Sequence, residues 1–389
     1  MKLLIIGDKN SQFIKNFSIE LSHFDASIQI DIVNVTPISA SEKRLNNKVY
    51  TKNYSFQSLT GFTSKIPKLR GFLTMRRINK IIKNVNENIN QYDVILLHGL
   101  WQLHCYMFSK LNIKNIFTVG AIWGSDFYKR VNNSPLFEII DQCDLMIIST
   151  KQMVEDILKV KKINKEKIRN CLFGLAPLQK LFELQRVTSK ESKKILGFEE
   201  DDFIIICGYN GSPNHQHRRI LSVLTEIKAD LPAKTKIVLP ITYGGSNEYK
   251  EEVKQVLAKT GFDYIIYEDF LTDDQIAHLR KATDLMIQIP VTDAFSGSFQ
   301  EHLFAQNMVI AGSWLPYQSL RDNGIYFETI DNVNELNDKL IFVLKNFTKL
   351  KNKIIESNTP DKFKSSLWSE CIKDWHSTLN EYRSYSHEA

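Results

Sequence analysis

The sequence predicts an α/β protein with two doubly wound domains that face each other across a cleft. Short apolar runs alternate with helical segments along the chain, and this alternation occurs twice. A charged stretch, residues 184–202, separates the two series and has the polarity of a connection between domains that includes a short helix. The chain has 389 residues, and domains of roughly 100–200 residues suit such a division.

The domain limits follow from these changes of pattern. We place the first domain at residues 1–183, the connection at 184–202 and the second domain at 203–360. The remaining residues, 361–389, are predicted to form helices that pack back toward the first domain. Two tryptophans in this tail, Trp368 and Trp375, are expected to anchor it by burial.

In the first series, short apolar runs predict buried parallel strands. These runs lie at 2–7, 28–35, 93–99, 116–126, 145–150 and 168–174. Helices are expected from about Ser11, up to about residue 90, and over residues 151–159.

The second series repeats the alternation. Its predicted strands lie at 203–212, 235–245, 264–270, 284–289, 308–313 and 325–329. Its predicted helices lie at 217–227, at 249–261 ending on a glycine, at 272–282 with Thr272 as N-cap, and from Ser298 to Gln306.

Composition narrows the class of protein. Five cysteines, none in a CxxC pair, indicate buried thiols in a reducing compartment and give no zinc pattern. The N-terminal apolar run is too short for a signal peptide, and no run reaches the ~20 residues of a membrane span. We therefore expect a cytoplasmic protein.

The basic segment, residues 64–84, carries seven Lys/Arg and no acid, with apolar residues interleaved. Two interpretations stay open: peripheral docking on an anionic membrane surface, or a solvated helix that packs one face on its own domain. The net charge of +6 comes with no recognised nucleic-acid motif, so no nucleic-acid partner is expected.

Residues 292–313, "TDAFSGSFQEHLFAQNMVIAGS", place two carboxylates, Asp293 and Glu301, on either side of a small-residue loop. Asp293 follows a predicted strand, where open α/β sheets bind ligands. The predicted helix start between the acids offers N–H groups and a positive dipole end to phosphate, near the Ser296–Phe299 backbone. The donor-binding candidates of this loop are Phe295, Ser296, Gly297 and Ser298. One carboxylate suits ribose hydroxyls and the other suits sugar hydroxyls. The inferred ligand is a nucleoside-diphosphate sugar.

This stretch resembles the donor-site signature of retaining GT-B glycosyltransferases of family four (glycosyl transferases group 1). The acid-to-acid spacing, the aromatic Phe295 and the following strand match that signature. The first acid is Asp, Ala294 replaces a glycine, and Gln306-Asn307-Met308 replaces Gly-x-Pro. The resemblance implies two Rossmann-like domains, with Glu301 on the donor ribose and Asp293 on the transferred sugar.

The start of the second domain, "GYNGSPNHQHRRI", is where family members place cations for the diphosphate. Here Tyr209 stands where arginine is usual. Arg218 is the best candidate to neutralise the charge of the leaving diphosphate. The alternative interpretation of Arg218 is a surface charge at the start of a helix. The further donor-binding candidates are Gly208, Asn210, Gly211, His217, Gly244 and, beside the base, Phe270.

A second resemblance is to bacterial Fuc4NAc transferases, carried by "LPITYGGSNEYKEEV" and by residues 270–304. These enzymes share the fold, invert the anomeric carbon and use a lipid-linked acceptor. Inversion needs a general base from the first domain, for which His98 and Asp126 are candidates at strand ends. Their alternative interpretations are a half-buried, hydrogen-bonded histidine and a turn-capping aspartate.

Together these features predict a hexosyltransferase-type glycosyltransferase, retaining, that acts on a glycan or polyprenyl-linked acceptor in bacterial surface polysaccharide synthesis. No metal and no cofactor are expected, because no Asp-x-Asp segment follows a strand. Three alternatives remain: an inverting transferase, a sugar-nucleotide epimerase of the same fold, and a non-catalytic transferase-like partner.

Overall fold

The computed structural model describes residues 1–38, 49–60, 66–128, 134–293 and 296–385. The chain divides into two compact units. Unit 1 comprises Met1–Gly174 and Trp368–Ala389, and unit 2 comprises Leu175–Leu367.

Unit 1 contains a parallel seven-stranded sheet in the order β3-β2-β1-β4-β5-β6-β7. The strands are β1 (Lys2–Gly7), β2 (Gln29–Asn34), β3 (Lys52–Tyr54), β4 (Val94–His98), β5 (Phe117–Ile122), β6 (Leu145–Ile148) and β7 (Ile168–Arg169). Leu3 and Ile5 belong to one buried cluster and Leu4 and Ile6 to another, so apolar side chains fill both faces of this sheet.

Helices cover those faces. They are α1 (Gln12–Phe24), α2 (Pro67–Asn86), α3 (Gln102–Ser109), α4 (Ser125–Tyr128), α5 (Ser134–Gln142), α6 (Lys151–Val160) and, from the C-terminus, the helix Trp368–Asn380. In that last helix Trp368 and Trp375 are 2% and 0% exposed, and the Trp375 indole donates to the Leu172 carbonyl at 2.8 Å. Burial of these two indoles therefore packs the C-terminal segment into unit 1.

Unit 2 contains a parallel six-stranded sheet in the order β10-β9-β8-β11-β12-β13. The strands are β8 (Phe203–Cys207), β9 (Thr235–Pro240), β10 (Asp263–Tyr267), β11 (Leu285–Gln288), β12 (Met308–Gly312) and β13 (Glu328–Ile330). The chain leaves β8 toward β9 and later returns to β11 on its other side. The carboxyl ends of β8 and β11 therefore form the topological switch point of this sheet.

The helices of unit 2 surround the sheet. They are α7 (Ala176–Glu183), α8 (Ser189–Ile195), α9 (His217–Glu226), α10 (Asn247–Ala258), α11 (Asp273–Ala282), α12 (Gly297–Phe304), α13 (Gln318–Asp322), α14 (Leu336–Lys345), α15 (Phe347–Glu356) and α16 (Thr359–Lys362). Thr188 and Thr272 begin α8 and α11 with capping boxes, which satisfy N–H groups that a helix start would leave unpaired.

The segment 184–202 contains a short helix, as its sequence predicts. It lies within unit 2 and contains α8. Lys193 on this helix is 6% exposed, and its ammonium donates to the Asp202 carbonyl at 2.6 Å and pairs with Asp284 at 2.9 Å. The division between the units falls at Gly174–Leu175, and the Lys193 contacts tie residues 184–202 into unit 2.

Two further features concern the sequence-based expectations about the cysteines and about membrane-spanning segments. All five cysteines are buried, and none of them forms a disulfide bond. Across the residues that the structure describes, no helix has the length and apolar character needed to cross a membrane.

Candidate functional site

The switch point of unit 2 gathers polar side chains from three strand ends. Tyr209 follows β8, Gln288 ends β11, Asp293 follows β11, and Tyr317 follows β12. Parallel strands end at one edge of their sheet, so residues that are distant in sequence meet there. Open α/β sheets bind ligands at this edge.

The Asp293 carboxylate is the centre of this group. Its Oδ2 accepts hydrogen bonds from the Tyr317 hydroxyl at 2.7 Å and from Gln288 Nε2 at 2.9 Å. The Tyr209 hydroxyl lies 3.4 Å from its Oδ1. The sequence analysis gave none of these three donors a role and noted Tyr209 only because it stands where arginine is usual, since nothing in the local pattern shows that the donors converge.

Both tyrosines are held protonated. Burial, followed by the nearby Asp293 charge, raises the pKa of Tyr209 and of Tyr317 well above the ordinary tyrosine value. A phenol that keeps its proton remains a hydrogen-bond donor to the carboxylate at every pH at which the protein works.

Glu301, one turn into α12, forms a buried ion pair with Arg280 of α11. Arg280 Nε lies 3.0 Å from Glu301 Oε2, and the two side chains are 8% and 7% exposed. Burial raises the pKa of Glu301, and the Arg280 charge opposes that shift. The predicted ribose contact therefore concerns a carboxylate that already has an internal partner. The sequence analysis did not select Arg280.

The first turn of α12 begins at the predicted place. The Ser296 hydroxyl caps it by accepting the Phe299 N–H at 3.2 Å. Gly297 opens the helix, and the hydroxyl of Ser298 is buried with no hydrogen-bond partner among the described residues. An unpaired buried hydroxyl at a helix N-terminus suits an anionic ligand. Phe295, another predicted residue of this loop, lies outside the described residues.

Two loops, after β8 and after β9, touch backbone to backbone beside this edge. The Gly211 N–H donates to the Tyr243 carbonyl at 2.7 Å. Gly245 has φ +69°, and a Cβ on it would lie 2.1 Å from the Gly211 oxygen, so only glycine fits there. Asn210 Oδ1 accepts the Ser212 N–H at 2.8 Å, which fixes the first loop.

The remaining predicted glycines lie in the same loops. Gly208 directly follows β8, and its N–H donates to Ile287 at 3.1 Å. Gly244 has φ +75°, and a Cβ there would meet Asn210 Oδ1 at 3.0 Å. These loops therefore bring the candidates from the ends of β8 and β9 together.

The structure does not bring Arg218 to this group. Arg218 is the second residue of α9, its side chain is 57% exposed, and it pairs with Glu252 of α10 at 2.6 Å. His217, beside it, is fully buried, and burial lowers its pKa to about 4. A neutral histidine gives no positive charge to a phosphate.

Phe270 forms an exposed aromatic pair with Tyr243. Their rings are stacked with centroids 5.8 Å apart and planes 9° apart, and Phe270 is 76% exposed. Burial raises the pKa of Tyr243, and the Tyr243 carbonyl accepts the Gly211 N–H of the loop after β8. The aromatic pair thus adjoins the candidate site.

His98 of unit 1 lies in an aromatic cage. Its Nδ1 accepts the Trp123 indole N–H at 3.0 Å, and its ring stacks on Trp375 with centroids 5.6 Å apart. Burial lowers the pKa of His98 to about 3. A histidine that is fully buried and neutral is poorly placed to accept a proton from an acceptor.

Asp126 of unit 1 caps turns. Its Oδ2 accepts the Leu100 N–H at 2.8 Å, and its Oδ1 accepts the N–H groups of Trp123 and Gly124, each at 2.9 Å. Burial raises the pKa of Asp126, and these N–H donors oppose the shift. The carboxylate thereby joins the loop after β4 to the loop after β5.

Within the described ranges, the structure contains no group of three or more His, Cys, Asp or Glu side chains able to hold a metal ion.

Solved structures resemble the chain over its whole length. HepE from Anabaena, in complex with UDP-glucose, matches with TM-score 0.67 and 14% identity over 98% of this chain and 100% of its own. WaaG, described as a glycosyltransferase involved in lipopolysaccharide biosynthesis, matches with TM-score 0.62 and 12% identity over 97% and 99%. A putative UDP-N-acetylglucosamine 2-epimerase from Listeria monocytogenes matches with TM-score 0.63 and 14% identity over 99% and 97%.

The class that these matches define is the GT-B fold, and this chain has that fold. The predicted α/β architecture and the GT-B resemblance are confirmed at this level. No protein-family model matches the sequence, and no curated protein matches it either. The finer resemblances, to family four and to Fuc4NAc transferases, stay predictions.

Proposed function

We propose that this protein is a glycosyltransferase that takes its sugar from a nucleoside-diphosphate donor. The observation that carries the proposal is the Asp293 carboxylate, fixed at the switch point of unit 2 in front of the N-terminus of α12. A helix start suits the diphosphate, and a fixed carboxylate suits sugar hydroxyls. HepE, which has the same fold, was crystallised with UDP-glucose.

Each part of the donor then has a partner in unit 2. Asp293 accepts hydroxyls of the transferred sugar, the first turn of α12 binds phosphate oxygens, and Glu301 binds the ribose. Phe270 stacks on the base together with Tyr243. The positive end of α12 stabilises the departing diphosphate, so the proposal requires neither a metal nor a cofactor. Arg218 has no role in the proposed donor site, because it forms an ion pair with Glu252.

We further propose that transfer is retaining and that the acceptor is a glycan or polyprenyl-linked sugar of a bacterial surface polysaccharide. An inverting enzyme needs a base in unit 1, and the two candidates are poorly suited to that role. His98 is caged by aromatic rings, and Asp126 has both oxygens bound by backbone N–H groups. These contacts support retention and a structural role for both residues.

Calorimetry tests the donor part of the proposal. UDP, UDP-glucose, UDP-galactose, UDP-N-acetylglucosamine, dTDP-glucose and GDP-mannose are titrated into the full chain. We expect at least one sugar nucleotide to bind, and the Asp293→Asn variant to lose the gain in affinity that the sugar gives over the bare nucleotide. Asp201→Asn is the matched control, since Asp201 is an exposed acid of unit 2 paired with Lys234. The absence of binding by every compound would refute the proposal.

Two outcomes identify the alternatives. If the bound donor is converted to an epimer in the absence of any acceptor, as followed by NMR, the protein is an epimerase. If nucleotide sugars bind but neither hydrolysis nor transfer to an added glycan acceptor follows, it is a non-catalytic relative.

The N-terminal half of α2 supports peripheral docking on an anionic membrane. Buried residues of α2 begin at Ile78, and none of residues 66–77 is buried. Phe72 is 64% exposed among four Lys/Arg of this stretch. Apolar side chains flanked by cations bind anionic headgroups. The first two residues of the basic segment, Ser64 and Lys65, lie outside the described residues.

Vesicle sedimentation tests this docking. We expect the protein to bind phosphatidylglycerol vesicles and not phosphatidylcholine vesicles, and to detach in high salt, because screening weakens the attraction. Phe72→Ser should reduce the bound fraction. Phe13→Ser, at another exposed phenylalanine of unit 1, is the control. Equal binding to both lipids would refute an electrostatic dock.

A further inference from the structure

We propose that Tyr317 and Gln288 are positioning residues that hold the Asp293 carboxylate in one orientation toward the transferred sugar. The inference rests on the proposed function, since it concerns how the same site recognises the sugar. Both donors bond the same oxygen, Oδ2, at 2.7 Å and 2.9 Å. An aspartate at the end of a loop has two rotatable bonds, and two donors to one oxygen fix both.

Both donors are themselves immobile. Tyr317 is 1% exposed, and its ring stacks on Phe299 of α12 with centroids 4.0 Å apart and planes 11° apart. Gln288 is 0% exposed and is the last residue of β11, between β8 and β12 in the middle of the sheet. The carboxylate is thus tied to the two elements between which its loop runs. A binding group held by packed side chains keeps its geometry when the ligand arrives.

The hydrogen-bond directions are consistent along this network. Gln288 Nε2 also donates to the Tyr317 oxygen at 3.3 Å. That oxygen accepts from the amide, so its own proton is directed to Asp293. The phenol and the amide therefore act together on one carboxylate.

The orientation of the Gln288 amide has a cost. Its Oε1 is buried with no hydrogen-bond partner among the described residues. A buried carbonyl without a donor destabilises the fold, because it has lost its hydrogen bonds to water. The flipped amide would set Oε1 against the Asp293 carboxylate, where two acceptors repel each other. In the observed orientation the amide N–H donates to the Asp293 carboxylate.

The test compares the affinity of a sugar nucleotide with that of its bare nucleotide. The donor used is the tightest binder among UDP-glucose, UDP-galactose, UDP-N-acetylglucosamine, dTDP-glucose and GDP-mannose. In Tyr317→Phe the ring stack on Phe299 stays and only the hydroxyl is lost. We expect the sugar nucleotide to bind at least about tenfold more weakly, which is the low end for the loss of one hydrogen bond to a charged group. The bare nucleotide should bind unchanged, because it does not reach Asp293.

Two variants grade the effect. The sugar contribution is the gain in affinity of the sugar nucleotide over the bare nucleotide. Tyr209→Phe should reduce it less than Tyr317→Phe does, because the Tyr209 hydroxyl is 3.4 Å from Asp293. Tyr326→Phe is the matched control, since Tyr326 also donates to a carboxylate of unit 2, that of Glu328 beside β13. It should leave both affinities unchanged. Melting curves of all variants confirm that they fold.

A double-mutant cycle identifies the mechanism. In an Asp293→Ala background, Tyr317→Phe should add no further loss, because the hydroxyl acts only through that carboxylate. A full additional loss would overturn the inference, and so would equal sugar contributions in wild type and Tyr317→Phe. If no donor of the panel binds better than its nucleotide, Asp293 holds no sugar and the inference falls. If neither donors nor nucleotides bind, the proposed function fails as well.

Discussion

The buried ion pair between Glu301 and Arg280 allows the structural and the ligand-binding role of Glu301 to be separated. The two atoms are 3.0 Å apart and each side chain is more than nine-tenths buried. At an effective dielectric of about 20, their attraction is about 5 kcal/mol, and it is offset by the loss of hydration of both ions. Glu301→Ala removes the attraction and leaves the Arg280 charge buried. We expect the free energy of unfolding of unit 2 to fall by about 3–5 kcal/mol.

The assay is urea unfolding followed by hydrogen exchange and mass spectrometry, read in peptides from α11 and α12. The double variant Arg280→Met with Glu301→Leu removes both charges and should recover at least half of the loss, because no charge then remains buried. If Glu301 also contacts the ribose, this stable variant should still bind UDP about tenfold more weakly, the value of about one lost hydrogen bond. A cost of Glu301→Ala below about 1 kcal/mol, typical of exposed pairs, would refute the reasoning.

Three further predictions follow from single side chains. Asp126→Ala should lower the free energy of unfolding of unit 1 by about 3 kcal/mol or more, since three N–H groups lose their acceptor; wild-type stability in urea would contradict this. The pKa of His98 is lowered to about 3, so the neutral imidazole contributes fully to the free energy of unfolding above pH about 6.5. This contribution is lost as the pH falls toward 3, by up to about 1.4 kcal/mol per pH unit. Urea unfolding of wild type and His98→Phe is measured at pH 7 and at pH 5. The free energy of unfolding should decrease less between these pH values in the variant than in wild type, and equal decreases would count against a neutral buried imidazole. Phe270→Ala should weaken UDP binding by about 1–3 kcal/mol if the base stacks there, whereas Phe342→Ala, at another exposed phenylalanine of unit 2, should not; calorimetry that finds the two variants alike would remove the stacking role.

Local pattern was sufficient for most strands and for the start of α12. Each predicted strand of the second series contains or overlaps an observed one, because buried parallel strands are short continuous apolar runs. The predicted helix from Ser298 is observed at Gly297–Phe304, because Ser296 is a good N-cap. The limits of the units were harder to predict, since the polarity of residues 184–202 does not show that Lys193 is buried against Asp202 and Asp284.

The site shows the same division. Asp293 and Glu301 were selected because both acids lie in one short stretch at a strand end. Tyr317 and Arg280 were not, since they are 24 and 21 residues away from their partners, and no local pattern connects them. Arg218 was selected for its charge, but its direction on α9 gives it Glu252 as partner.

The sequence by itself determined the alternation of strands and helices, the two-part division of the chain and the place of the two acids, because these depend on residues close together along the chain. Only the tertiary structure decided which side chains bind those acids. Strand order brings the ends of β8, β11 and β12 to one edge of the sheet, and burial gives each carboxylate there a partner from a different segment. The function of a carboxylate depends on these partners, and they meet only when the sheet has formed.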